Sequence, residues 1–347
     1  MTASTSTPEP TRPRRRLLRA LKISGIVLGA LLVVLLGVAY WALDRYVFDH
    51  VQISDVAAFE ANVAATTTAP APAVTATAVT ATAVTATTVP AATTSGAPAI
   101  TESTYKSAST SISITKTVVG SGPNQVVYFV ADVVMKDATA LRGGFAQNKF
   151  GRKIIEDPSD IAADNHAVFA VNGDYYGYRT SGIVIRNGIL YRDSGARSGL
   201  AIYRDGTMKI YDERSTSGEA LLTQGVWNTV SFGPALVDNG EIPAGIDKVE
   251  VDTNIGNHSI QGNQPRTGIG MIAPGHFLFV VVDGRSNGYS RGLNMIEFAQ
   301  VFKDHGAKVA YNLDGGGSTT MVFNGALVNN PLGKNNERGT SDILYIA

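Results

Sequence analysis

The chain has 347 residues, 44% of them hydrophobic, with 36 glycines, no cysteine, and 29 basic against 29 acidic residues. The lack of cysteine excludes a disulfide framework, thiol catalysis and Cys-ligated metal centres. The zero net charge is unevenly divided: residues 1–22 hold six basic residues (Arg12, Arg14, Arg15, Arg16, Arg19, Lys22) against Glu9, a net of +5, so the remainder carries −5. An acidic body without a basic run lacks the electrostatic footprint of a nucleic-acid binder.

Behind this basic tail, Ile23 to Leu43 forms 21 consecutive uncharged, mostly apolar residues, matching the roughly 20 that a helix needs to cross a bilayer. Asp44, Asp49 and Asp55 follow it, and Tyr40 and Trp41 stand where an interfacial aromatic belt falls. The pattern predicts a single-pass signal anchor with a cytoplasmic N-terminus and an extracellular C-terminal body. A cleaved signal peptide is the competing reading, but bulky Tyr40 and Trp41 interrupt the small-residue cleavage positions. Residues 44–101 read as a juxtamembrane segment and a linker of Thr, Ala, Val and Pro, with the pentads TATAV, TATAV and TATTV over Thr75–Val89. Such units are too short for a solenoid and too poor in large apolar groups for a core. As a coil the linker would hold its ends roughly 35–40 Å apart, a stalk between membrane and domain.

Residues 102–347 are of a size that one core supports. Two-residue turns predict three hairpins: Ile183–Arg186 and Ile189–Arg192 around Asn187-Gly188, Leu200–Arg204 and Thr207–Tyr211 around Asp205-Gly206, and Met321–Phe323 and Ala326–Val328 around Asn324-Gly325. These dipeptides supply the two positive φ angles of a type I′ turn. Further strands are expected at Val126–Val134, Ala167–Val171, Phe277–Val282, Val309–Tyr311 and Ile343–Ile346. Asn294 with Glu297 three residues on predicts a capped helix closed by Gly306, with Ile296, Ala299 and Phe302 on its apolar face. A shorter helix is expected between Ser159 and Asp164. The fold class is α+β, a β-rich mixed or antiparallel sheet with few helices.

The five histidines show no ligand spacing, and neither a Gly-x-Ser-x-Gly elbow nor a Walker or dinucleotide fingerprint occurs. Carboxylates, arginines and glycines remain, gathered after apolar runs: Asn172-Gly173-Asp174-Tyr175-Tyr176, Asp283-Gly284-Arg285-Ser286, and Asn312-Leu313-Asp314-Gly315-Gly316-Gly317-Ser318-Thr319-Thr320. Asp-Gly alone only turns a chain. Three successive glycines exceed what a turn needs, and here they are read as a loop whose N–H groups, with the Ser318 and Thr319 hydroxyls, approach an anion. Arg266 and Arg285 supply guanidinium forks suited to phosphate. Arg179, Arg186, Arg291 and Arg338 are weaker candidates, and Tyr175, Tyr176 and Tyr178 suit either a sugar-stacking wall or a core. A different enzyme class stays open, a P–O-cleaving phosphodiesterase with Asp174, Asp283 and Asp314 clustered on Mg²⁺, Mn²⁺ or Ca²⁺. So does a non-catalytic module binding envelope polysaccharide.

In order, NGDYYGYRTSGIVIRNGILYRD, SFGPALV, PRTGIG, VVDGRS, NLDGGGSTTMVFNG and ERGTSDILYI resemble the phosphodiester glycosidase family. That family includes the animal uncovering enzymes and a bacterial branch associated with exopolysaccharide, to which this chain is most similar. The resemblance implies hydrolysis of a sugar-1-phosphodiester at its anomeric C–O bond, freeing the sugar and leaving a phosphomonoester; a divalent cation stays open as cofactor. By motif position it carries over Asn172, Asp174, Arg266, Asp283, Arg285 and Asp314 with Gly315, Gly316, Gly317 and Ser318; their chemistry makes Asp314, Asp174, Asp283, Arg266 and Arg285 the expected catalytic set, with Asn172, Tyr175, Thr319 and the glycine loop expected to bind substrate or its phosphate. Where the family often has Asn-Gly-Gly, this chain has Asn172-Gly173-Asp174.

Overall fold

The computed structural model describes residues 13–46, 48–68, 97–253 and 259–347. The pentads at 75–89 lie outside them. Uninterrupted apolar runs suit strands buried on both faces. The longest of these, His276–Val282, lies inside an eight-stranded antiparallel sheet, in the order Ala235–Val237, Val309–Asn312, Arg266–Ala273, His276–Val282, Val126–Met135, Thr110–Val119, Thr104–Lys106, Ala99–Ile100. Successive side chains of that strand alternate between two cores. Phe277, Phe279 and Val281 face a second sheet, and Leu278, Val280 and Val282 face a helix, Met295–Asp304. The helix lies close because Gly268 and Gly270 carry no side chain: a Cβ there would meet Phe298 at 2.9 Å and Phe302 at 2.7 Å.

The second sheet, also antiparallel, runs Ala326–Leu327, Met321–Phe323, Phe169–Asn172, Asp342–Ile346, Arg142–Phe145. Phe169 meets Phe279 edge-on between the sheets, with centroids 5.1 Å apart. Its outer face is covered by helix Pro158–Asp164 through Ile161 and Ala162. The layers are thus helix, sheet, sheet, helix, with a three-stranded sheet (Met208–Asp212, Ser198–Tyr203, Val226–Val230) and the hairpin Gly182–Arg186/Ile189–Ser194 alongside. The α+β class with few helices holds.

Two of the three hairpin turns are type I′, with φ of 55° and 74° at Asn187-Gly188 and 49° and 75° at Asn324-Gly325. The third differs. Of Asp205 and Gly206 only the glycine has positive φ, and Tyr203 N–H donates to the Thr207 carbonyl at 2.9 Å, a three-residue loop. The Asp205 carboxylate accepts from the Thr207 N–H and hydroxyl at 2.9 and 2.7 Å, and this local bonding favours the type I turn with a glycine bulge. The helix begins with the expected capping box at Asn294 and Glu297, and Gly306 at φ 82° ends it. Its buried face is Met295, Phe298, Ala299 and Phe302, while Ile296 is 42% exposed and off that face. Counting i+3 and i+4 from Met295 selects the observed set.

The chain divides into two units, Met1–Asp49 and His50–Ala347. The first holds the helix Pro13–Tyr46, in which Lys22–Asp44 is long and apolar enough to cross a membrane by length and composition. The second begins well before the boundary expected at residue 102. Strand His50–Ile53 pairs antiparallel with Phe150–Arg152. Helix Val56–Thr68 buries Val56 among Phe145, Phe150, Tyr176 and Val184. Glu60 accepts from Tyr191 Oη and Asn187 Nδ2 at 2.9 Å each and from Arg142 Nη2 at 3.1 Å. Residues 50–68 are therefore part of the domain, and the stalk reading of 44–101 does not hold there.

Candidate functional site

Antiparallel register brings the chemically loaded loops to one place. Arg266 opens its strand opposite Val282, where the neighbouring strand ends before Asp283, and Gly268 pairs with Asn312, where the third ends before Asp314. In the second sheet Asn172 pairs with Ile343 and Val171 with Met321, which sets the loop from Gly173 beside Thr320 and Asp342. Leu313–Thr320 passes from one sheet to the other. At this junction lies a cleft of about 240 Å³, lined by residues that include Asp174, Tyr175, Tyr178, Arg266, Arg285, Asp314, Gly315, Gly316, Ser318 and Arg338.

The Asp314 side chain is 15% exposed, and its Oδ2 lies 3.5 Å from Arg338 Nη2. Burial raises its pKa above the ordinary carboxylate value of 3.8, although Arg338, the Ser318 hydroxyl and the Gly315 N–H all favour the ion. Its backbone is fixed from the second sheet. Asn172 Nδ2 donates to the Asp314 carbonyl at 2.7 Å, and Asn172 Oδ1 accepts from Thr267 Oγ1 at 2.6 Å and Thr320 N–H at 3.1 Å. Asn172 is fully buried and does not line the cleft; it is a brace.

Three guanidiniums share the cleft. Arg266, only 3% exposed, is held by the carbonyls of Leu293, Ile260 and Gly262 at 2.6, 2.9 and 2.8 Å, and its Nη1 makes no bond to a described residue. Burial and the charge of Arg285 lower its pKa to about 10, so it stays protonated at neutral pH. Arg285, at φ 52°, adopts the left-handed backbone that costs a non-glycine residue about 1–2 kcal/mol. Its Nε donates to Gln264 Oε1 at 2.6 Å. Burial and Arg338 lower its pKa too. Arg338 donates to Ser318 Oγ from Nη2 at 2.6 Å.

The glycine loop works differently from the sequence expectation. Gly316 N–H is committed to the Pro265 carbonyl at 3.0 Å, Ser318 N–H to Gly315 at 3.2 Å and Thr319 N–H to Gly316 at 3.4 Å. Those amides close the loop and do not form an anion cradle. The missing side chains permit close approach: a Cβ on Gly315 would meet the Pro265 carbonyl at 2.8 Å, and one on Gly316, itself at φ 62°, would meet Arg285 Nη1 at 3.3 Å. Glycine lets Arg285 lie close to Gly316 and Arg338 close to Gly317.

Asp174 lines the cleft but is tied down. It is paired with Arg179, which also reaches Asp252 at 3.1 Å, and Asp252 meets Arg197 at 2.8 Å. Asp174 further accepts from the N–H groups of Tyr175 at 2.5 Å and Ser231 at 2.6 Å. Tyr175 and Tyr178 stack at 4.8 Å with planes 15° apart, and Phe232 meets Tyr175 edge-on.

Asp283 is not in the cleft. It is 1% exposed and accepts from Tyr289 Oη at 2.8 Å, Asn329 Nδ2 at 2.9 Å and Asn330 N–H at 3.1 Å. It pins the 329–330 segment behind the site, and burial raises its pKa. Gly317 and Thr319 are buried and also outside the lining. The clustering of Asp174, Asp283 and Asp314 that a metal reading requires is not found, and among the described residues no three His, Cys, Asp or Glu side chains stand together as ligands. Of the arginines set lower from sequence, Arg338 lines the cleft beside Asp314 and Arg179 pairs with Asp174. Their signals, ERGTSD and the Arg five residues after Asp174, were in the quoted motifs, but their partners came from folding.

The phosphodiester glycosidase family model matches residues 165–347. The chain is 30% identical over 208 residues to the SPbeta prophage-derived uncharacterized protein YomE of Bacillus subtilis (strain 168), covering 57% of this chain and 30% of that protein. It is 30% identical over 207 residues to N-acetylglucosamine-1-phosphodiester alpha-N-acetylglucosaminidase of Mus musculus, covering 54% of this chain and 37% of the relative. The chain thus spans about a third of each relative's length. Among solved structures, the zebrafish N-acetylglucosamine-1-phosphodiester alpha-N-acetylglucosaminidase catalytic domain auto-inhibited by pro-peptide superposes with a TM-score of 0.56 at 24% identity, over 69% of this chain and 84% of the other. A hypothetical protein from Synechocystis gives 0.51 at 15% identity, over 69% and 62%. At these identities both speak to the fold.

Proposed function

This chain belongs to the phosphodiester glycosidase family, and we propose that it hydrolyses a sugar-1-phosphodiester at the anomeric C–O bond. The observation carrying this reading is the Asp314 carboxyl in one cleft with Arg266, Arg285 and Arg338. Breaking that bond builds positive charge on the sugar ring and sends the bonding electrons to a phosphate oxygen. Water supplies the oxygen of the new anomeric hydroxyl, and its proton passes to a base. Ordinary glycosidases need a protonated carboxyl because an alkoxide leaves poorly. A phosphomonoester, with a second pKa near 6, leaves with little protonation.

Asp314 faces the forming cation as nucleophile or as base toward water, and its raised pKa suits proton traffic. Arg266, Arg285 and Arg338 stabilise the charge that grows on the leaving phosphate. Asp174, held by Arg179 and two amides, acts as a fixed negative charge beside the ring. Tyr175 and Tyr178 offer a stacking surface for sugar. Asp283 contributes through the segment it anchors.

The substrate named in the mouse relative, an N-acetylglucosamine-1-phosphodiester, is the first to test. The test is a hydrolysis screen of sugar-1-phosphodiesters, reading free reducing sugar. Release of sugar and a phosphomonoester supports the proposal, and no turnover on any of them removes it. We further read Lys22–Asp44 as an anchor that keeps the domain outside the cell, acting on exopolysaccharide or other envelope glycan. The charge asymmetry about that helix supports the orientation, and protease protection of residues 50–347 in intact cells would contradict it.

A further inference from the structure

The charges around the cleft do not cancel. Of its three acidic lining residues, Asp174 is paired with Arg179, Asp252 with Arg179 and Arg197, and Asp314 with Arg338. That leaves Arg266 and Arg285. Arg266 is bonded only to carbonyls and Arg285 only to the Gln264 amide oxygen, so neither has a carboxylate partner. With Arg179 and Arg197, which stand behind the lining, counted against the acids they pair, the described residues around the cleft leave a surplus of two positive charges, Arg285 beside Gly316 and Arg266 on its three carbonyls. Holding these charges here is costly: besides burial, Arg285 lowers the proton affinity of Arg266, and Arg338 lowers that of Arg285. A phosphodiester brings one negative charge and leaves the surplus half answered. A phosphomonoester above its second pKa brings two and answers it fully.

We propose that the cleft is charge-matched to a dianionic phosphomonoester and holds this leaving product more tightly than the monoanionic diester from which it comes. The inference rests on the hydrolase reading for the words substrate and product, but the binding preference follows from the charges alone. An enzyme gains rate from interactions that strengthen as charge develops, and a site matched to the final charge also retains the product. Phosphomonoesters then inhibit, more strongly as pH rises through about 6, and release of the product limits turnover.

The test is calorimetric titration of the full chain with methyl phosphate and with dimethyl phosphate, at pH 5.0 and at pH 7.5. Dimethyl phosphate is a monoanion at both. It reports any change from the groups that face the site, Asp174, Asp252, Asp314 and the more distant Glu297 with the five arginines, and so serves as the internal reference. The expected result is methyl phosphate binding at least about tenfold more tightly than dimethyl phosphate at pH 7.5, with the advantage falling below about threefold at pH 5.0. Arg285→Gln removes one surplus charge and is expected to bring the pH 7.5 ratio close to one, with both ligands still bound. Equal affinities in the parent, or a ratio that ignores pH, would overturn the inference. Hydrolysis of a sugar-1-phosphodiester without the dianion preference defeats this inference and leaves the hydrolase reading standing. The preference without any hydrolysis does the reverse.

Discussion

Asn172 Nδ2 donates to the Asp314 carbonyl at 2.7 Å, joining the end of one sheet to the loop that leaves the other. With its Oδ1 taken by Thr267 and Thr320, this one side chain sets where the Asp314 loop lies. Asn172→Ala leaves buried donors and an acceptor unanswered. We expect a stability loss of about 2–4 kcal/mol and a fall in kcat larger than any rise in KM. Unchanged melting and turnover would show that the brace is dispensable.

Asp314 is held by the fold against its own ionisation. Its raised pKa means that its contribution to stability is fully present below the unfolded carboxylate value and is lost as pH rises through the folded one. Asp314→Asn imitates the neutral form, so at pH 7 it should melt at or above the parent temperature, an advantage that disappears in acid. Hydrolysis should drop by about 10²–10⁴-fold while phosphomonoester binding persists. A variant that melts lower at pH 7 but matches the parent near pH 3 would contradict the assignment.

Arg266→Lys keeps the charge and loses the planar fork that three carbonyls grip. The expected loss of transition-state stabilisation is about 1.5–3 kcal/mol, or roughly 10- to 150-fold in kcat/KM. Steady-state kinetics on the folded variant, checked by circular dichroism, decides it. A loss confined to KM would place Arg266 in ground-state binding.

How much of this was legible depends on the range of the interactions involved. The Asn187-Gly188 and Asn324-Gly325 turns and the Asn294 capping box are fixed by residues a few positions apart, and they read correctly. Asp205-Gly206 looked the same but was decided by the Thr207 hydroxyl. Asp283 and Asp314 are alike in sequence, each following an apolar run and preceding glycine. What separates them is Asn329, Asn330 and Tyr289 around one and Arg338 beside the other, side chains brought in by tertiary structure. Helix Val56–Thr68 was hidden because its Ala, Val and Thr match the repeat after it, and only its contacts through Val56 and Glu60 mark it as part of the domain.

Glu60 gives a test of that boundary. Glu60→Ala strands the Tyr191 hydroxyl, an Asn187 amide hydrogen and Arg142, and should lower stability by about 1–3 kcal/mol. A fragment starting at Glu102 should melt well below one starting at His50, since it uncovers Phe145, Phe150 and Tyr191. Equal melting of the two fragments would return residues 50–68 to the linker.

The claim that most needs testing is which bond breaks. Hydrolysis of a sugar-1-phosphodiester in ¹⁸O-labelled water, followed by mass spectrometry of both products, answers it directly. Cleavage at the anomeric C–O bond puts the label on the sugar hydroxyl and leaves the phosphomonoester unlabelled, as a cleft holding the Asp314 carboxyl and three guanidiniums predicts. Label in the phosphate would mean P–O cleavage and would contradict the account.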